Sequence, residues 1–160
     1  MTREQQVIDF FDEWGKSLDA MCDSFIAILA DDCVWDQRPI PRLKGPRAAV
    51  RFLKVAHMSL AMQTIDVQIL QIASAGDVVH VERIDRLLRA DGSLIASAPV
   101  AGVLEFNGDR VARWREYFDA GGLVTQTLAT SSIYLARCAA RLLGSARGSA
   151  DGDRIREPRR

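Results

Sequence analysis

Two rhythms divide the chain: through residue 60 apolar side chains recur every three or four positions, and from residue 61 they alternate with polar ones. Val7, Phe10, Phe11 and Trp14 fall at i, i+3, i+4 and i+7 on an otherwise acidic segment, which predicts an amphipathic helix over 3–15. Leu18, Met21, Cys22, Phe25, Ile26 and Leu29 repeat the period and predict a second helix, ending at Asp31-Asp32. Cys33–Gln37 reads as a short strand or the start of a loop, stopped by Pro39 and Pro41. Gly45-Pro46 places proline in the first turn of a third helix, whose apolar side carries Val50, Leu53, Val55, Ala56, Met58 and Leu60.

The alternating part predicts four long strands, over 63–73, 77–90, 93–106 and 110–119. Gly76-Asp77, Asp91-Gly92 and Asn107-Gly108-Asp109 stand between them as hairpin turns, so the strands run antiparallel. Helices followed by an antiparallel sheet make an α+β plan. After Gly121-Gly122 a short apolar helix (123–128) and a further helix (Ser132–Leu143) are expected, and the final GSARGSADGDRIREPRR has too few apolar residues to fold.

Parity then shows where polar chemistry falls. Residues of equal parity in a strand share a face, so Arg83 and Asp85 lie with Val79, Val81 and Leu87 on an apolar face. In the last strand Ala112, Trp114, Glu116 and Phe118 share a face, while Ala98, Val100 and Gly102 of the strand between are small enough to leave room. One guanidinium among two carboxyls in an apolar cavity is either a structural ion network or an acid and a base side by side. Desolvation favours a proton on one carboxyl while arginine holds the other ionised.

Composition narrows the setting. The 21 basic and 21 acidic side chains cancel, and a nucleic-acid or lipid-surface protein would carry a basic excess. The zero is a sum of unlike parts: residues 1–136 hold 14 basic and 18 acidic side chains, and residues 137–160 hold seven arginines against Asp151, Asp153 and Glu157. Cys22, Cys33 and Cys138 match neither a disulfide framework nor a zinc spacing. The charged N-terminus has no export signal, and no run of eighteen apolar residues occurs. One domain in a reducing cytoplasm is the expectation.

The order of elements, the run Val81-Glu82-Arg83-Ile84-Asp85 and the run Trp114-Arg115-Glu116-Tyr117-Phe118-Asp119 resemble the limonene-1,2-epoxide hydrolase family, which has the nuclear transport factor 2-like cone fold. Asp85 and Glu116 stand 31 residues apart, the separation of that family's two catalytic acids, and agreement extends to Trp35-x-Gln37-x-Pro39-x-Pro41 and Ala101-Gly102-Val103. The resemblance covers about residues 5–130. It implies N-terminal helices packed in the concave face of a strongly curved, mostly antiparallel mixed sheet over 1–130, leaving an extra C-terminal helix at 131–144 and an arginine-rich, disordered tail at 145–160.

That family uses an Asp-Arg-Asp triad with a Tyr and an Asn that position the attacking water. The resemblance implies Arg83 as the bridging arginine, Asp85 as the acid that protonates the epoxide oxygen and Glu116 as the base. Trp35 stands at the Tyr position and Gln37 at the Asn position, so three of the five differ in type while keeping a carboxylate, an amide and a donor. Gln37 and the Trp35 indole N–H would then orient the water. Leu87, Val100, Trp114, Phe118, Val79, Ala98 and Met62 are the expected walls for an apolar terpenoid-, sterol- or lipid-like epoxide. No cofactor or metal is expected, since His57 lies on the third helix and His80 has the opposite parity to the acids. A homodimer through the outer sheet face is implied, and membrane contact by the C-terminal segment is the less favoured alternative to its packing on the body. Two rival readings use the same fold: an intramolecular epoxide-opening cyclase that forms a cyclic ether, and a non-catalytic ligand-binding module.

Overall fold

The computed structural model describes the chain to Asp151, with side chains to residue 139. Helix α1 (Arg3–Asp12), a 3-10 turn (Glu13–Gly15) and α2 (Leu18–Ile28) come first. Thr2 and Ser17 cap the two helices, their hydroxyls accepting from the Gln5 and Ala20 N–H groups. There follow β1 (Leu29–Asp36), β2 (Leu43–Lys44), α3 (Pro46–Leu60), then β3 (Met62–Ala75), β4 (Val78–Arg89), β5 (Leu94–Asn107), β6 (Arg110–Phe118) and α4 (Ala120–Asp151).

The architecture is α+β, a curled six-stranded mixed sheet whose concave face holds the N-terminal helices. Strand order is β2-β1-β6-β5-β4-β3, antiparallel throughout except where β1 runs parallel to β6. Strands β3 to β6 form the expected succession of hairpins, each within two residues of its predicted bounds. Inside the curl Val7, Phe10, Phe11 and Trp14 meet Met21, Phe25, Leu53 and the inward residues of the sheet. No helix among the described residues is long and apolar enough to cross a membrane.

Three local expectations are corrected. Leu29, placed on the second helix by its period, opens β1: the chain turns from helix to strand there, and a buried leucine satisfies either assignment. In β6 the inward residue before Trp114 is Val111 instead of Ala112, because a bulge shifts the β5–β6 register between Glu105↔Arg113 and Phe106↔Val111. The two C-terminal helices are one. Between them the chain stays helical, with the Thr127 and Ser132 hydroxyls bonded back onto the Leu123 and Leu128 carbonyls.

Helix α4 therefore continues through the junction expected at 131 and through 145–151; residues 152–160 of the predicted tail lie outside the described residues. It is tied to β5 by the Gln126 amide, which exchanges hydrogen bonds with the Ser97 backbone, and by Thr130 donating to the Ile95 carbonyl at 2.6 Å. Tyr134 covers the Arg89 guanidinium at 4.4 Å, whereas Ile133 and Leu135 are exposed.

Two glycines separate backbone need from mere tolerance. Gly45, at φ +73°, precedes α3 and donates to the Cys33 carbonyl; a Cβ there would lie 2.5 Å from the Asp31 carbonyl oxygen. Gly92, at φ +77° in the β4–β5 turn, has open space around it. Gly45→Ala is expected to destabilise the fold by about 3 kcal/mol or more, strain and clash together, and Gly92→Ala by about 1 kcal/mol. Urea unfolding of the two variants, giving equal losses, would refute this assignment.

Candidate active site

The inner faces of three adjacent strands form a small grid. Asp85 of β4 stands opposite Ala98 of β5, and Arg83 is in line with Val100 and, across β5, with Phe118 of β6. The next row is Val81, Gly102 and Glu116. Arg83 and Glu116 are therefore two strands and one row apart, roughly 12 Å between backbones at the usual strand spacing and rise. Only a long side chain crossing β5 can join them.

It crosses over Gly102. A Cβ at that position would lie 3.1 Å from both Arg83 Nη1 and Val81 Cγ1 and 3.5 Å from Trp114 Nε1, so the absent side chain is the passage for the guanidinium. Arg83 Nε donates to Asp85 Oδ1 at 2.8 Å and Nη2 to Asp85 Oδ2 at 3.0 Å, a bidentate pairing, and Nη2 also donates to Glu116 Oε1. Arg83, Asp85 and Glu116 are 1%, 8% and 6% exposed. One cation and two acids are thus sealed together.

The apolar N-terminal helices close the roof. Phe11 lies 4.4 Å from the guanidinium carbon, with Trp14 and Trp114 at 5.7 and 6.0 Å, so the cation faces π-systems where the carboxyls do not cover it. Phe11 and Trp14 belong to the site; their i, i+4, i+7 spacing marked them as core, and only their position over Arg83 reveals this second part. Trp35 stacks on Trp114 at 4.6 Å and 9°, because Trp35 and Trp114 are paired neighbours across the parallel β1–β6 ladder.

The structure gives Trp35 a different partner from the one expected. Its indole N–H donates to Glu116 Oε2 at 2.9 Å, so it holds the carboxyl itself. Gln37 follows the last β1–β6 pair, Asp36↔Arg115; its side chain is buried and its Nε2 finds no partner among the described residues. Arg83 Nη1 and Trp114 Nε1, both buried, are likewise unpartnered. Three buried polar groups thus have hydrogen-bonding capacity to spare.

Burial is the largest influence on both acids and pushes their pKa up; Arg83 works against it through charge and hydrogen bonds. At Glu116 the neighbouring Asp85 adds to the rise and the Trp35 donor opposes it. Burial disfavours the Arg83 cation, but Glu116 and Asp85 more than offset this and keep it charged. The arrangement can hold one proton between two carboxyls around a fixed cation, an acid and a base in one enclosure.

Of the expected walls, Ala98, Val100 and Phe118 adjoin the triad in the grid, and Leu87 continues the row beyond Asp85 opposite Ala96. Trp114 is fully buried within the aromatic stack. Val79 lies four residues before Arg83, roughly 13 Å along the strand, and is packed in the core opposite Leu104. Met62 is core as well, next to Arg89 at the far end of β4, its carbonyl 2.7 Å from His57 Nδ1. Equal parity put Val79 on the inner face but says nothing of distance along it.

The chain is 32% identical over 97 residues to epoxide hydrolase EphG of Mycobacterium tuberculosis, a match spanning 61% of this chain and 62% of that protein. Its fold is shared by the structure of an M. tuberculosis LEH-like epoxide hydrolase, at TM-score 0.63 and 24% identity over 84% of this chain and 91% of that one. A SnoaL-like polyketide cyclase structure from Jannaschia shares it too, at TM-score 0.63 and 16% identity over 77% and 89% of the two chains. Residues 5–129 match the model of the limonene-1,2-epoxide hydrolase catalytic domain, and with all of the grid and its aromatic roof inside that span, the chain belongs to the limonene-1,2-epoxide hydrolase family.

Proposed function

We propose that the protein hydrolyses an apolar epoxide to a vicinal diol in one acid-base step. The observation that carries this reading is the buried triad: Arg83 bidentate on Asp85 and bonded to Glu116 in an apolar enclosure. Glu116 takes a proton from water as its oxygen attacks an epoxide carbon, the C–O bond to that carbon breaks, and Asp85 gives its proton to the departing ring oxygen. Water has then added across the ring, Glu116 carries the proton and Asp85 is the anion; transfer through solvent restores the starting state. No covalent ester forms, and the two hydroxyls lie on opposite faces.

Trp35 acts on the base in this scheme, fixing Oε2 so that its remaining lone pair meets the water, while the Gln37 amide is the second group for that water. The grid beside the triad, Ala98, Val100, Phe118 and Leu87, provides the apolar contact. The cyclase reading differs only in the attacking oxygen, a hydroxyl of the same molecule. The Jannaschia neighbour shows that the fold serves proteins named as cyclases, but the hydrolase relatives include the matched family itself.

Turnover of a panel of terpenoid, sterol and lipid epoxides in isotopically labelled water is expected to give a diol bearing one labelled oxygen; a label-free cyclic ether would establish the cyclase instead. Asp85→Asn and Glu116→Gln should each lower kcat by at least about 10²-fold, the ordinary contribution of a positioned acid or base. Unchanged turnover in both would exclude the triad from the chemistry.

The dependence on pH follows from the raised carboxyls. The form with one proton shared by Asp85 and Glu116 is active, so kcat/KM is expected to be bell-shaped. Activity is lost below the lower limb as both acids are protonated and above the upper limb as both ionise, with both limbs above the ordinary carboxyl range. Trp35→Phe removes a donor that favours the Glu116 anion and should move the acidic limb to higher pH. A limb that stays in place would separate Trp35 from the base.

A further inference from the structure

Strand β6 leaves β5 at the Val100↔Phe118 pair, so the β5 backbone from Ile95 to Ser97 has no strand beside it on that edge. Helix α4 takes its place. Gln126 exchanges hydrogen bonds with the Ser97 backbone and Thr130 donates to the Ile95 carbonyl. These bonds fix the roll of the helix, and Leu123, Thr127, Ser131 and Tyr134 come half-buried on the side toward the body. Val124, Leu128 and Leu135 then share a face beside it and are 57%, 66% and 66% exposed. Nothing among the described residues covers them, and the same spacing continues in the sequence to Leu142.

Charge on this helix is of one sign. From Ala120 to Ala150 the chain holds Arg137, Arg141 and Arg147 and no acidic residue. Over residues 137–160 seven arginines stand against three acids, a net charge of +4, whereas residues 1–136, with 14 basic and 18 acidic side chains, carry −4. The molecule is therefore an electrical dipole, and its basic end is the end that carries the uncovered leucines. Most of α4, from residue 130 on, lies beyond the matched family domain, and with it Leu135 and all of these arginines.

We infer that α4 docks on an anionic lipid surface, lying along it with its leucines at the acyl boundary and its arginines among the headgroup phosphates. The helix rests on the bilayer and does not cross it, being too short of apolar residues for that. A second copy would bring two basic ends together with no acid on the helix to pair them. A nucleic acid would take the arginines and leave the leucines in water. Anionic lipid answers both features at once, and it attracts the basic end while repelling the acidic body, so the molecule stands on the surface by its C-terminal end. An apolar epoxide collects in the same phase, which would bring the enclosure to its substrate.

The test is co-sedimentation of the full chain with vesicles of phosphatidylcholine alone and of equal parts phosphatidylcholine and phosphatidylglycerol. Partition onto the anionic vesicles should be at least about tenfold stronger than onto the neutral ones and should weaken as salt is added. Leu128→Ser combined with Leu135→Ser should lower it by about tenfold or more, and Arg137→Gln by about fivefold. Met58→Ser, which removes a methionine that is 75% exposed on α3, should leave it unchanged. Equal partition onto the two kinds of vesicle, or binding indifferent to the leucine pair, would overturn the proposal. Sedimentation velocity without lipid and titration with a DNA duplex test the other occupants. A dimer that the leucine pair dissociates, or a duplex bound as tightly as the anionic vesicles, would give α4 to a second copy or to nucleic acid and overturn the proposal too. Every readout is binding, so the result stands apart from epoxide turnover.

Discussion

A guanidinium that is 1% exposed is the constraint on which the interior of this protein turns. Arg83 cannot be left with water, so the fold must supply its partners: Asp85 two residues along the same strand, Glu116 from two strands away, and aromatic faces where no carboxyl reaches. Loss of one partner from a buried ion pair of this kind destabilises by about 3–5 kcal/mol, because the charge left behind has no compensation. The glycine in β5, the ring from α1 and the indole from β1 are therefore parts of a single arrangement. Its formal charge is that of one cation and two acids, and a single proton brings it to neutrality.

The strands were readable because each is long, alternates cleanly and is bounded by glycine-containing turns. What periodicity misses is pairing between distant segments and departures of one residue. The parallel contact of β1 with β6 joins residues about 80 positions apart and leaves no local pattern. The bulge at Ala112 changes which neighbour of Trp114 faces inward without changing the alternation around it. In α4 the stretch left between the two expected helices is itself helical, its Thr127 and Ser132 hydroxyls bonding to the preceding turn, an outcome that depends on rotamers more than on composition.

The site divides the same way. Parity alone placed Arg83, Asp85 and Glu116 on inner faces beside Ala98, Val100 and Gly102, and the strand register then brought them within one side chain's reach. Trp35 and Gln37 came from the family resemblance, since a five-residue segment near two prolines has no parity to trust. The resemblance supplied their positions without their contacts. An indole is longer than a phenol, and in this chain its N–H reaches the carboxyl directly. Val79 and Met62 show the opposite limit: equal parity and apolar character identify an inner face, and distance along the strand decides whether a residue reaches the triad.

The aromatic roof has one more consequence. The chain holds three tryptophans, and all of them lie in this enclosure: Trp14 and Trp114 beside the guanidinium, and Trp35 stacked on Trp114. No tryptophan reports on the rest of the fold. The intrinsic fluorescence of the protein is consequently the emission of its candidate active site, and the parallel stack of two indoles makes the near-ultraviolet circular dichroism a local signal as well. Proton transfer at Glu116, which bonds one of those indoles, is written into an optical property that needs no label.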